Sequence, residues 1–108
     1  NPVIRGDIIY TGHGNTLCMD PLTKRYFYSS MEHLRKAENV INKQLIHDVC
    51  GTATLNEFYD ELGLDHTDIG DKLGWTTDRQ IDLDIYPGLY DGEPCLVVGH
   101  YNAPVWEP

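Results

Sequence analysis

The residues that could do chemistry are few. The densest group is Asp65-His66-Thr67-Asp68-Ile69-Gly70-Asp71, three carboxylates and one imidazole within seven residues. Oxygen ligands at that density suit a hard cation. An EF-hand loop needs oxygen ligands at its positions 1, 3 and 5 and a glycine at 6. Counted from Asp65, Gly70 falls on the glycine position, yet Ile69 stands at position 5 and has no oxygen to give. Asp65, Asp68 and Asp71 are therefore weak candidates for metal ligands, and a solvated acidic loop is the plainer reading. Asp82 and Asp84 alternate with Ile81, Leu83 and Ile85, so both carboxylates share one strand face. Paired carboxylates serve acid–base chemistry, and His100 would be their partner in an enzyme. The plainer reading is the wet face of an edge strand.

The other histidines carry less. His13, between Gly12 and Gly14, reads as a solvated side chain on a turn tip. His33 and His47 lie fourteen residues apart on one helix, too far to share a ligand. Trp75, Trp106, Tyr86, Tyr90 and Tyr101 could wall a ligand site, but aromatics in a small domain more often fill its core. The three cysteines, at 18, 50 and 95, lack the close spacing of a zinc site. They read as free thiols in a reducing compartment. No serine elbow, zinc-protease helix or phosphate-cradling loop is present, so no cofactor is implied.

The elements that would position these residues follow from pattern. Asp7–Thr11, Thr16–Met19 and Arg25–Tyr28 read as strands. Turns at Gly12–Asn15 and Asp20–Lys24 would join them into an antiparallel meander. Ser29 with Glu32 forms a capping box. Met31, Leu34, Ala37, Ile41, Leu45 and Val49 then mark one face of a long helix, with Gly51 as its stop. Thr54 with Glu57 is a second box, opening a short helix that Gly63 ends, with Leu64 packing back on it. Leu73-Gly74-Trp75 echoes Leu62-Gly63-Leu64 and reads as a second helix ending after one turn. Ile81–Tyr86 reads as a half-buried strand, Pro87–Glu93 as a turn region, and Pro94–Tyr101 as a central strand. The tail from Asn102 is expected to run irregularly. These elements predict an α+β fold: an antiparallel sheet of about five strands, with one long and one or two short helices on one face.

Length and charge narrow the class. The 108 residues suit a single domain. Net charge is −9, and residues 51–95 hold eleven acids against two bases, while the remainder is balanced. Nucleic-acid binding needs a basic face, so a nucleic-acid partner is not expected. Lys24, Arg25, Arg35, Lys36 and Lys43, interleaved with Glu32 and Glu38, read as a helix surface laced with ion pairs. The longest apolar run, Cys95–Val98, is far short of the roughly 20 residues of a spanning helix. The chain opens on Asn and is expected to be the C-terminal part of a longer protein.

Several segments resemble a family encoded by phages and prophages of Gram-positive bacteria. They are Thr11-Gly12-His13-Gly14-Asn15-Thr16-Leu17-Cys18, Arg25-Tyr26-Phe27, Arg35-Lys36-Ala37-Glu38-Asn39, Leu55 through Leu64, Gly70 through Trp75 and Asp91 through Leu96. The family is one of unknown function. The resemblance implies a phage context and an apolar N-terminal part that anchors longer members in a membrane. It implies no catalytic residue. Relatives are expected to carry an acidic residue where this chain has His100.

Three functional classes stand open on this reading. The first is a non-enzymatic interaction or structural module with a protein partner, meeting the membrane only through a preceding segment. The second is a small-ligand or cation-binding domain using loop 65–71. The third is an enzyme built around His100 with Asp82 and Asp84. Oligomeric state is not legible.

Overall fold

A computed structural model describes residues 8–108. Asp7, the start of the first expected strand, lies outside them. The elements in order are β1 (Ile9–Tyr10), β2 (Thr16–Asp20), β3 (Arg25–Ser29), α1 (Met31–His47), β4 (Thr52–Thr54), α2 (Leu55–Leu62), β5 (Leu73–Thr76), β6 (Leu83–Tyr90), β7 (Glu93–His100) and β8 (Val105–Trp106). The fold is α+β, as expected, but its main sheet is mixed rather than antiparallel.

That sheet has five strands in the order β1-β3-β2-β7-β6. β2 pairs antiparallel with β3 and parallel with β7, through Cys18–Leu96 and Met19–Val97. Both edges of β2 are thereby taken. β1 cannot be its hairpin partner and instead lies parallel to β3, with Ile9 opposite Phe27. The expected three-strand meander is corrected on this point. β7 is central, as its apolar run on both faces implies.

A second sheet, β4-β5-β8, was not foreseen. Leu73-Gly74-Trp75 is strand β5 and not a helix ending. Ala53 pairs with Trp75, and a side chain on Gly74 would run into the Ala53 backbone. The tail is not irregular throughout: Val105 and Trp106 pair with Gly74 and Leu73. β6 also runs past its expected end, through Pro87 to Tyr90. Pro87 is tolerated because β6 is an edge strand. The turn shrinks to Asp91-Gly92, both at positive φ (55° and 83°), as a tight hairpin requires.

The helices follow their stripes with corrected ends. Ser30, not Ser29, caps α1 by accepting from the His33 N–H, while Ser29 is buried at the end of β3. Leu34, Ala37, Ile41 and Leu45 are buried, but Met31 and Val49 are exposed. Val49 fails because the helix stops at His47, where Asp48 turns extended. For α2 the Thr54–Glu57 capping box is present, and Gly63 ends the helix in the left-handed region (φ 89°). Gly63 and Leu64 donate back to the Asp60 and Tyr59 carbonyls.

The main core joins both helices to Cys18, Phe27, Leu83 and Val98 on one sheet face. The opposite face carries a smaller cluster of Ile8, Leu17, Cys95 and Val97, with Tyr26, Tyr28 and Tyr90 against it. Polar side chains of α1 close the start of β6. Asn42 exchanges two hydrogen bonds with the Ile81 backbone (3.0 and 3.1 Å), and Glu38 accepts from the Leu83 N–H (2.8 Å).

Candidate functional site

The β2–β3 turn, loop 64–72 and the final residues surround an apolar cleft of about 410 Å³. Leu22 and Thr23 form one wall, Thr67 and Ile69 the second, and Ala103 and Pro104 the third, with Leu55 and Leu73 completing the lining. Trp106 stands directly opposite Leu73 in the β5–β8 pairing. Opposed residues of a strand pair project to the same face, so Trp106 shares the face of that pair on which Leu73 lies. Leu22, Ile69 and Trp106 are 45%, 49% and 61% exposed.

Each wall is held by polar contacts that local sequence explains only in part. Asp20 is 1% exposed. Its carboxylate accepts from the Thr23 hydroxyl (2.6 Å) and N–H (3.3 Å), which closes the turn behind Leu22. The Tyr59 hydroxyl of α2 donates to the same carboxylate at 2.7 Å. Burial raises the Tyr59 ionisation far above its ordinary range, and the neighbouring Asp20 carboxylate adds to this, so the phenol keeps its proton. Arg25 lies over the Tyr59 ring, 4.6 Å from its centroid. Its guanidinium donates to the Thr23 hydroxyl and the Asp65 carbonyl, tying the turn to the acidic loop.

The loop wall is organised by Asn56, 2% exposed at the start of α2. Its amide accepts from the Thr67 N–H (2.9 Å) and donates to the Thr67 carbonyl (3.1 Å) and the Asp71 carboxylate (3.0 Å). Its backbone N–H donates to the Gly70 carbonyl, and a side chain on Gly70 would collide with the amide. Gly70 is thus accounted for by Asn56. The exposed His66 donates to Asp60 at 2.7 Å. Among the described residues, no group of three or more His, Cys, Asp or Glu side chains is placed to hold a metal ion. Asp65, Asp68 and Asp71 share the loop without converging.

The other candidates are distributed as follows. His100 opposes Leu83 and faces the helix-covered core, whereas Asp84 opposes Gly99 on the other face. The structure therefore separates His100 from Asp84. The His100 ring packs against Phe58 and Trp75, with centroids 5.7 and 5.5 Å away. Both its nitrogens are buried without a hydrogen-bond partner. Burial lowers its basicity, opposed in part by Asp20 and Glu38. His13 is exposed but not a free tip. It stacks on His33 at 3.6 Å with 6° between planes, and the His33 ring donates to the Glu61 carbonyl. Desolvation, then His33 and Lys36, lowers the basicity of His13. The two rings lie twenty residues apart and the sequence gives no signal of their stack, because it depends on how the turn docks on α1.

The five aromatics do not share a wall. Trp75 is buried and donates to the Asn102 carbonyl at 2.8 Å, which anchors the tail. Tyr90 stacks on Tyr26 at 3.9 Å, and Tyr86, Tyr101 and Trp106 are exposed. The cysteines are free. Cys18 and Cys95 are buried, with Cys18 pushed up to about 11 chiefly by desolvation. Sequence reasoning missed the cleft itself, although Leu22 and Ile69, apolar residues inside polar turns, were its available trace.

The class defined by this geometry is a small α+β domain with an apolar cleft beside an acidic loop. The chain belongs to the Family of unknown function (DUF6353), whose model matches residues 2–108. No curated protein and no solved structure matches it.

Proposed function

We propose that the domain is a non-enzymatic interaction module that receives a protein partner in the cleft between the β2–β3 turn and the β5–β8 pair. The observation that carries this reading is that the exposed side chains of Leu22 and Ile69 line one cleft, with exposed Trp106 opposite the lining residue Leu73 in the β5–β8 pair. Large apolar side chains left in water together mark interaction sites. The walls are held by hydrogen bonds that need no ligand, so binding would cost little reordering. The sequence resemblance supports two further parts of the proposal. The domain belongs to a phage- or prophage-encoded protein, and a segment outside this sequence tethers it to a membrane.

A second reading is a small apolar ligand in the same cleft, because about 410 Å³ lies within the size range of small-molecule sites. Loop 65–71 would then supply a wall and not cation ligands. The test is photo-cross-linking in cells from benzoylphenylalanine placed at Trp106, with Lys43 on α1 as the control position. A discrete protein adduct from position 106 that disappears on Ile69→Asp is the expected result. Equal adducts from both positions would overturn the assignment of the cleft.

A further inference from the structure

We infer that the occupant of the cleft is an extended protein segment with one large apolar side chain flanked by lysine or arginine. The inference rests on the interaction-module reading and names the partner's chemistry. The cleft lining is apolar, and it takes an aliphatic or aromatic anchor. Its rim is what selects the flanks. Asp65, Asp68 and Asp71 are exposed on the loop that carries Ile69, and Glu107 is exposed beside Trp106. Lys24 and Lys72 are the exposed bases among these rim segments, so acids outnumber bases. Arg25 is half-buried: its guanidinium lies over the Tyr59 ring and donates to the Asp65 carbonyl and to the Thr23 hydroxyl, which in turn donates to the buried Asp20 carboxylate. The long-range field has the same sign, since residues 51–95 hold eleven acids and two bases. Such a field accelerates encounter with a basic segment and repels an acidic one.

The test uses a randomised twelve-residue peptide library selected on the intact chain. Two variants serve as controls, Ile69→Asp for the anchor and the pair Asp65→Asn with Asp68→Asn for the rim. Asp71 is left unchanged because Asn56 donates to it. All three substituted side chains belong to exposed residues, and circular dichroism confirms that each variant folds. Enriched peptides are expected to carry a large apolar residue between lysines or arginines. Binding of a synthetic copy should fall by about tenfold or more in Ile69→Asp. It should fall several-fold in the rim variant and in high salt, which screens exposed charges. Enrichment of acidic or uncharged flanks, or binding indifferent to the rim variant and to salt, would overturn the inference and leave the interaction-module reading standing. A library yielding no Ile69-dependent peptide, while position 106 still cross-links to protein in cells, would overturn the linear segment as occupant. Absence of that cross-link as well would remove the underlying reading.

Discussion

His100 sits in unfavourable surroundings. Its two nitrogens are buried without partners between Phe58 and Trp75, and burial lowers its basicity. A histidine with a lowered native pKa stays neutral when folded, while the unfolded chain takes up a proton below about pH 6.5. Stability is therefore expected to be full above that value and to fall as pH drops toward the lowered native pKa. His100→Phe replaces unpaired nitrogens with apolar atoms, which is near neutral or stabilising. Denaturant unfolding at pH 7.5 and pH 5 should show a smaller acid loss in the variant than in the parent, and equal losses would refute the assignment. Asp20 is the opposite case, a buried carboxylate with donors from Thr23 and Tyr59. Tyr59→Phe keeps the packing under Arg25 and removes one donor. It should cost about 1–3 kcal/mol, the usual penalty for a buried acceptor left short.

Between elements, α1 does two things at once. Leu34, Ala37, Ile41 and Leu45 face the core, while Arg35, Glu38 and Asn42 bond the backbone of residues 81–83 beside β6. Ile41 is 1% exposed, so Ile41→Ala should lose about 2–5 kcal/mol, and exposed Lys43→Ala should stay within about 0.5 kcal/mol. Similar midpoints for the two variants in urea would mean a wrong helical register. The second sheet has its own weak point at Gly74, where a Cβ would meet the Ala53 backbone. Gly74→Ala should separate β4 from β5 and release the Trp75 side chain. A red-shifted tryptophan emission would report this, and an unchanged spectrum would count against the pairing.

At the scale of the whole molecule, the acidic half does not converge into a cation site among the described residues. Unfolding temperatures in chelator and in millimolar calcium, magnesium or zinc are expected to agree. A native-state ligand at about a hundred times its dissociation constant would add roughly 2.7 kcal/mol, which is a shift of several degrees. A rise with one ion, abolished by Asp68→Ala, would revive the cation hypothesis.

Local chemistry in the sequence determined much of this protein. The α2 stripe, the Leu34, Ala37, Ile41 and Leu45 positions of the α1 stripe, the Thr54–Glu57 box and the Gly63 ending depend on neighbours within four residues, and the structure repeats them. Ends were less legible. Ser29 and Ser30 are chemically equivalent caps, and burial at the end of β3 decided between them. Partner choice was not legible at all. Strand-favouring residues between turns identified β1 and β2, and an apolar run on both faces identified β7, yet nothing local says that β7 returns to lie parallel beside β2 and displaces β1 to β3. Leu73-Gly74-Trp75 reads equally well as a helix ending until Ala53 and Trp106 flank it. The cleft depends wholly on those decisions. Leu22 and Ile69 come from two distant turns and Pro104 from the segment before β8, and only the packing of both sheets around α2 brings them to one surface. Local interactions act between chain neighbours and leave a pattern in the sequence, whereas non-local pairing is settled by competition among surfaces that the chain order does not record.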